Sequence, residues 1–197
     1  MIIRKEFRVE SSHIVRNCTS HRCSHSVHGH SAVIEILLEG NKLDNAGMLY
    51  DFGLMKGTVK QFIDSMDHCH LIWSEDNEEY KEFFKKTNDR WIELPFNPSA
   101  EQLSMFIHYY VQWILDHTKK NNGEDASLKV NGVIYHETTT GYAHCNETDV
   151  NIWFKPEWEN EIKFSDGVMK DWSDDLFVIL NGDTVENPII KQQVKNY

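Results

Sequence analysis

The sequence predicts an α+β fold, and three observations carry that prediction. Two early stretches alternate apolar and polar residues as half-buried strands do, two middle stretches carry apolar residues at helical spacing, and two further apolar runs read as strands. The predicted order is β-β-α-α-β-β. At 197 residues the chain is most economically one domain, long enough to bury a core without staples.

In the first strand, residues 3–9, Phe7 and Val9 share a parity that continues through Ser11 to His13. An extended backbone therefore puts His13 on the Phe7/Val9 face. In the second, His30, Ala32, Ile34, Ile36 and Leu38 hold one face, while Ser31, Glu35 and Glu39 hold the other. The turn-rich "EGNKLDNAG" and then "MLYDFG" follow. Met55, Val59, Phe62, Ile63 and Met66 then form one helix face, with the helix ending near Asp67. Residues 74–90 set an acidic block and a basic block around three aromatics, which reads as a solvated insertion with some helix.

At "NPSAEQLSMFIHYYVQWIL", Pro98 precedes a capping Ser99, and Gln102 stands three residues on, as in a capping box. Leu103, Phe106, Ile107, Tyr110, Val111 and Ile114 make the apolar stripe of the second helix. Strands are predicted over about 128–137 and about 149–154, the latter with Val150, Ile152 and Phe154 on one face. The domain is thus placed at 1–155. Residues 156–197 form an extension too apolar for a disordered tail, packed on the domain or on a neighbouring subunit.

Lys plus Arg number 20 against 31 Asp plus Glu, a formal charge of −11, which argues against a nucleic-acid partner. Met1–Glu6 lacks the pattern of a signal peptide, and there is no 18-residue apolar run, so no membrane partner is expected and the chain reads as cytoplasmic. Cys18, Cys23, Cys69 and Cys145 are too few for a disulfide framework and suggest metal or nucleophilic use.

His28 and His30 flank Gly29 and share a face; with His13 they offer three imidazoles from two strands. Three protein ligands with an open fourth position describe a catalytic zinc site. A two-Cys, two-His finger from Cys18, Cys23, His28 and His30 has the wrong spacing. Cys23, near Arg22 and His25, is a candidate thiolate, and a bound metal or nearby cation would depress its pKa. In "MDHCHLIW", Asp67 can orient His68, with His70 as an alternative partner. Glu101 falls in the first turn of its helix, where a negative charge is favoured. Glu137 ends a strand, where a carboxylate can bind a planar N–H edge bidentately.

Together these features resemble the 6-pyruvoyltetrahydropterin synthase and 6-carboxytetrahydropterin synthase family: a strand ending in His13, a cysteine shortly before HGH, "GMLYDFG", an Asp-His after a helix, a Pro-Ser-Ala-Glu helix start and a Tyr-His-Glu-Thr strand end. The likeness covers roughly residues 3–154 apart from an insertion near 74–97, and is greatest to the bacterial 6-carboxytetrahydropterin branch. It implies the tunnelling fold: a four-stranded antiparallel sheet with two helices on one side, trimerising into a barrel and often pairing into a hexamer, with active sites between subunits. It also implies zinc on His13, His28 and His30, a catalytic thiol at Cys23, and Asp67 and His68 completing a proton-transfer triad. Glu137 would anchor the pterin ring, with Glu101 lining the same pocket beside Ser99, although Ala100 replaces a second hydroxyl residue. The implied substrate is 7,8-dihydroneopterin triphosphate. Side-chain cleavage to 6-carboxytetrahydropterin and triphosphate elimination to 6-pyruvoyltetrahydropterin are the competing outcomes. A folate branch uses a glutamate where Cys23 stands. A non-catalytic zinc-stabilised binding protein, its fourth zinc position filled by Cys23 or Cys69, is the reading from another class.

Overall fold

The computed structural model describes residues 1–189; residues 190–197 of the predicted extension lie outside the described residues. In chain order the elements are β1 Ile2–His13, α1 His21–His25, β2 His28–Glu39, α2 Thr58–Asp64, β3 Cys69–Trp73, α3 Glu78–Thr87, β4 Trp91–Leu94 and α4 Ala100–Asp116. There follow β5 Thr118–Lys119, β6 Lys129–His136, β7 Tyr142–Cys145, α5 Glu147–Trp153, β8 Lys163–Phe164, α6 Asp166–Met169, α7 Asp174–Leu180 and β9 Val185–Glu186.

A sheet of order β7-β6-β2-β1-β3-β4-β8 organises the molecule. Its first four strands are mutually antiparallel, and β1 and β2 pair along their whole length, from Ile2 opposite Glu39 to His13 opposite His28. The alternation read from sequence decides which face is buried. Phe7, Val9, Ile34, Ile36 and Leu38 point to one side and meet Phe62 and Ile63 of α2 and Leu103, Phe106 and Tyr110 of α4 in one core. Phe62 stacks on Tyr110 at 4.9 Å between ring centroids, joining the two helices over the sheet.

Three sequence expectations are corrected. Residues 149–154 are not a strand: Asn146 accepts from the amides of Thr148 and Asp149 while Asp149 accepts from the Asn146 amide, a reciprocal cap that starts α5. The last strand of the antiparallel set is β7 instead, paired with β6 from Val133 opposite Cys145 to His136 opposite Tyr142. Ser99 does cap α4, but the side-chain oxygen of Gln102 is buried without a partner, so the reciprocal half of that box is missing.

The insertion is the third correction, because it is built into the sheet rather than left in solvent. Its β4 pairs parallel with β3, which itself pairs parallel with β1 over Ser11–His13. Helix α3 lies on the face opposite α2 and α4, held by Glu93 of β4, which is 3% exposed and receives Lys81 and Lys85. Beyond residue 155 the chain packs back onto its own domain. Val168, Leu176 and Ile179 join the core, and the Trp113 indole donates to the Ile179 carbonyl at 2.8 Å. Among the described residues no helix is long and apolar enough to cross a membrane.

Candidate active site

Strand register assembles the histidines. His13 lies directly opposite His28 and Ser11 opposite His30, so three imidazoles two residues or one strand apart project from one face. One ligand nitrogen from each lies within 4.8 Å of the others. Their tautomers follow from the partners: His13 Nδ1 donates to the Pro98 carbonyl at 2.7 Å and His28 Nδ1 to the Ser26 carbonyl at 3.0 Å, since a carbonyl can only accept. Each Nε2 is then left with a free lone pair. His13 Nε2 and His30 Nε2 are buried without a hydrogen-bond partner. Burial, then His28 and His30, push the His13 pKa down to about 4, which keeps that ring neutral.

Glu137, just past β6, reaches the same point, its Oε1 standing 3.5 Å from His13 Nε2 and 3.7 Å from His30 Nε2. A carboxylate facing the Nε2 lone pair of the neutral His13 ring is repulsive unless a cation lies between them. Three imidazole nitrogens, two of them orphaned, beside a carboxylate therefore fit a divalent metal, and the donor set is one zinc accepts. The structure thus gathers His13, His28, His30 and Glu137.

The other predicted residues sit around this centre in separate groups. Cys23, half-buried on α1, is outside the converging ligand set, and its carbonyl accepts from Val15 N at 3.0 Å. Cys69 faces the core, where burial pushes its thiol up to about 12. Neither thiol closes the site, and the four groups of the finger do not assemble. Asp67 and His68 occupy the turn between α2 and β3. Asp67 Oδ2 accepts from His68 Nδ1 at 2.9 Å and its Oδ1 from Glu10 N at 2.8 Å. Partial burial works against the charge, yet the Glu10 amide and His68 hold the Asp67 carboxyl below its ordinary range. Among the described residues no hydrogen bond joins Cys23 to this pair within one chain.

His70 is not available as the alternative partner. Its Nδ1 bonds the Ser12 hydroxyl at 2.8 Å, its Nε2 the Tyr80 hydroxyl at 2.6 Å, and its ring stacks on Phe84 at 4.0 Å. Ser99 is occupied as the α4 cap, and exposed Glu101 lines a cavity of about 480 Å³ with Tyr142, His144 and Trp153, apart from Glu137. A cavity of about 380 Å³ links the two halves of the site, since His30 and His68 both line it with Ser12, His70, Phe84 and Arg90. Phe84 and Arg90 are contributions that sequence reasoning missed; both lie in the charge-rich stretch read as solvated, and no local pattern marks them.

The family model described as 6-pyruvoyl tetrahydropterin synthase matches residues 2–148. The chain belongs to the 6-pyruvoyl tetrahydropterin synthase family. Within this family's likenesses, a Helicobacter pylori protein named 6-carboxy-5,6,7,8-tetrahydropterin synthase is 38% identical over 179 residues, covering 90% of this chain and 89% of its own. An Aquifex aeolicus protein of the same name is 29% identical over 161 residues, covering 74% of this chain and 97% of its own. Among solved structures, an uncharacterised Wolinella succinogenes protein superposes with a TM-score of 0.61 at 19% identity, covering 75% of this chain and 98% of its own. A Plasmodium falciparum 6-pyruvoyl tetrahydropterin synthase does so at 0.53 and 14% identity, covering 75% and 97%. These structural likenesses speak to the fold, which is the tunnelling fold of the pterin synthases.

Proposed function

We propose that the protein is a zinc-dependent lyase that converts 7,8-dihydroneopterin triphosphate to 6-carboxy-5,6,7,8-tetrahydropterin with release of acetaldehyde and triphosphate, on the 7-deazaguanine route to queuosine. The observation that carries the reading is the convergence of three imidazoles and the Glu137 carboxylate on one point with two nitrogens orphaned. The choice of product follows the Helicobacter pylori relative, whose likeness runs past the family model's boundary over 90% of the chain.

His13, His28 and His30 would hold the metal, which supplies a Lewis acid that makes the hydroxyls of a bound substrate side chain more acidic. Glu137 accepts donor hydrogens of the pterin substrate beside the histidines. Cys23 accepts and returns a side-chain proton, while Asp67 keeps His68 in the tautomer and charge state that exchanges protons with the thiol. Because Cys23 and His68 are not hydrogen-bonded within one chain, and Glu101 lines a cavity that Glu137 does not, the complete site would draw on a second copy.

Two free edges support a trimer-based homo-oligomer. Among the described residues β1 pairs with β3 only over Ser11–His13, Glu10 bonds the Asp67–His68 turn, and β7 ends the sheet, so the outer edge of β1 before Glu10 and that of β7 carry backbone groups suited to strand pairing between copies.

The test is anaerobic incubation of zinc-loaded protein with 7,8-dihydroneopterin triphosphate, reading pterin mass and acetaldehyde together. Acetaldehyde equal in amount to 6-carboxytetrahydropterin is expected. A pyruvoyl product without acetaldehyde would move the protein to the biopterin branch, and no product with zinc bound would leave a non-catalytic binding protein.

A further inference from the structure

His68 has φ +51°, a left-handed conformation that costs a β-carbon-bearing residue energy and persists only where its surroundings over-determine it. On one side the constraint is β1, where Glu10 O accepts from His68 N at 2.6 Å. On the other it is Arg90. The guanidinium donates through Nε to the Asp67 carbonyl at 3.0 Å and through Nη2 to the Asp64 carbonyl at 3.0 Å. Nη1 donates to the Gly167 carbonyl at 2.8 Å and to Asp171 at 2.6 Å. Four of the five N–H donors of a planar fork are thus used, on the end of α2, on the Asp67–His68 turn and on the C-terminal extension.

The extension is seated on this clamp without slack. A β-carbon added to Gly167 would come within 2.2 Å of the Asp89 carbonyl oxygen, so only glycine allows α6 to lie against the residue preceding Arg90. Trp172 Nε1 donates to Ser65 Oγ at 2.8 Å and the Ser173 hydroxyl to Gln61 at 2.8 Å, tying the same end of α2. Asp171 is 60% exposed and adds little by itself; the carbonyls define where the guanidinium sits.

We infer that Arg90 is a positioning residue for the Asp67–His68 pair, and that residues 165–173 of the C-terminal extension serve the active site by locking Arg90 in place. The inference rests on the proposed part of Asp67–His68 in proton transfer. It gives the extension a task beyond its packing, in which Val168, Leu176 and Ile179 join the core.

The test uses full-length zinc-loaded protein with Arg90→Lys, which keeps the charge but loses the fork, and Gly167→Ala, which displaces the extension. Each is made alone and combined with His68→Ala. Turnover and the 13C-labelled ring signal of His68 are read. The expected result is a fall in kcat of roughly tenfold to a hundredfold with KM within about twofold, unchanged zinc content and a displaced His68 signal. No further fall is expected on the His68→Ala background, because both changes act through that residue. Wild-type kcat with an unmoved His68 signal would overturn the inference. So would a further tenfold loss on the His68→Ala background, which marks a general structural role. If His68→Ala alone turns over as fast as wild type, the reading of the pair fails, and the His68 signal then decides the positioning by itself.

Discussion

The two halves of the site are built by different means. The histidine half stands on two long strands paired in continuous register, where period-two alternation puts His13, His28 and His30 on one face. The Asp67–His68 half stands on a turn with a left-handed residue, held by long-range bonds from β1, from Arg90 and, through Arg90, from the extension. The histidine geometry thus follows from one continuous strand pairing, whereas the geometry of the Asp67–His68 pair depends on bonds from segments more than twenty residues away. Changes in the first half should abolish chemistry by removing the metal, and changes in the second should tune it.

The largest effect is expected from His28→Ala, which removes one imidazole of three. Zinc content should fall toward zero and turnover by on the order of 10³-fold or more, the scale of several kcal/mol of lost charge stabilisation. Stoichiometric zinc in that variant would break the contrast. Cys23→Ala should keep full zinc, because the thiol is outside the ligand set, while turnover drops by roughly 10²–10⁴-fold. A Cys23→Ala enzyme that loses its metal would move the thiol into the first half.

Beside the second half, Glu93→Ala removes the carboxylate facing half-buried Lys85 and buried Lys81, but Lys81 keeps Glu78 and the Ser74 carbonyl, so the change should cost about 1.5–3 kcal/mol of stability by urea unfolding. A loss below about 1 kcal/mol would mean that α3 does not depend on that pair. Acid should act on both halves. Burial lowers His13 and His70 to about 4 from an ordinary 6.5, so between those values the unfolded chain binds more protons than the folded one. Stability of the metal-free protein should be full above about pH 6.5 and fall as pH drops toward 4, by roughly 3 kcal/mol for each buried histidine. A flat profile over that window would mean that neither ring is held neutral.

What was legible in the sequence follows the same division. The parity of Phe7, Val9 and His13, and of His30 through Leu38, suffices to place the three histidines on one face, because alternation is a local property of a strand. The α4 stripe from Leu103 to Ile114 was equally plain. The reading failed where two local signals competed. Val150, Ile152 and Phe154 alternate like a strand, yet Asn146 and Asp149 spell a helix cap, and the cap prevailed. It also failed where only tertiary pairing decides. "CHLIW" and "WIEL" are too short to show a period, and buried Glu93 disguises β4 as surface. Arg90 looks like one more charge in a charged stretch, and its four acceptors come from two distant parts of the chain, 64–67 and 167–171.

The central claim is that His13, His28 and His30 hold one zinc whose remaining position is open. X-ray absorption at the zinc edge of the metal-loaded protein tests it most directly. The account predicts three imidazole nitrogens at about 2.0–2.1 Å with only oxygen beside them. A sulfur scatterer at about 2.3 Å would contradict it, placing a cysteine on the metal and closing the site.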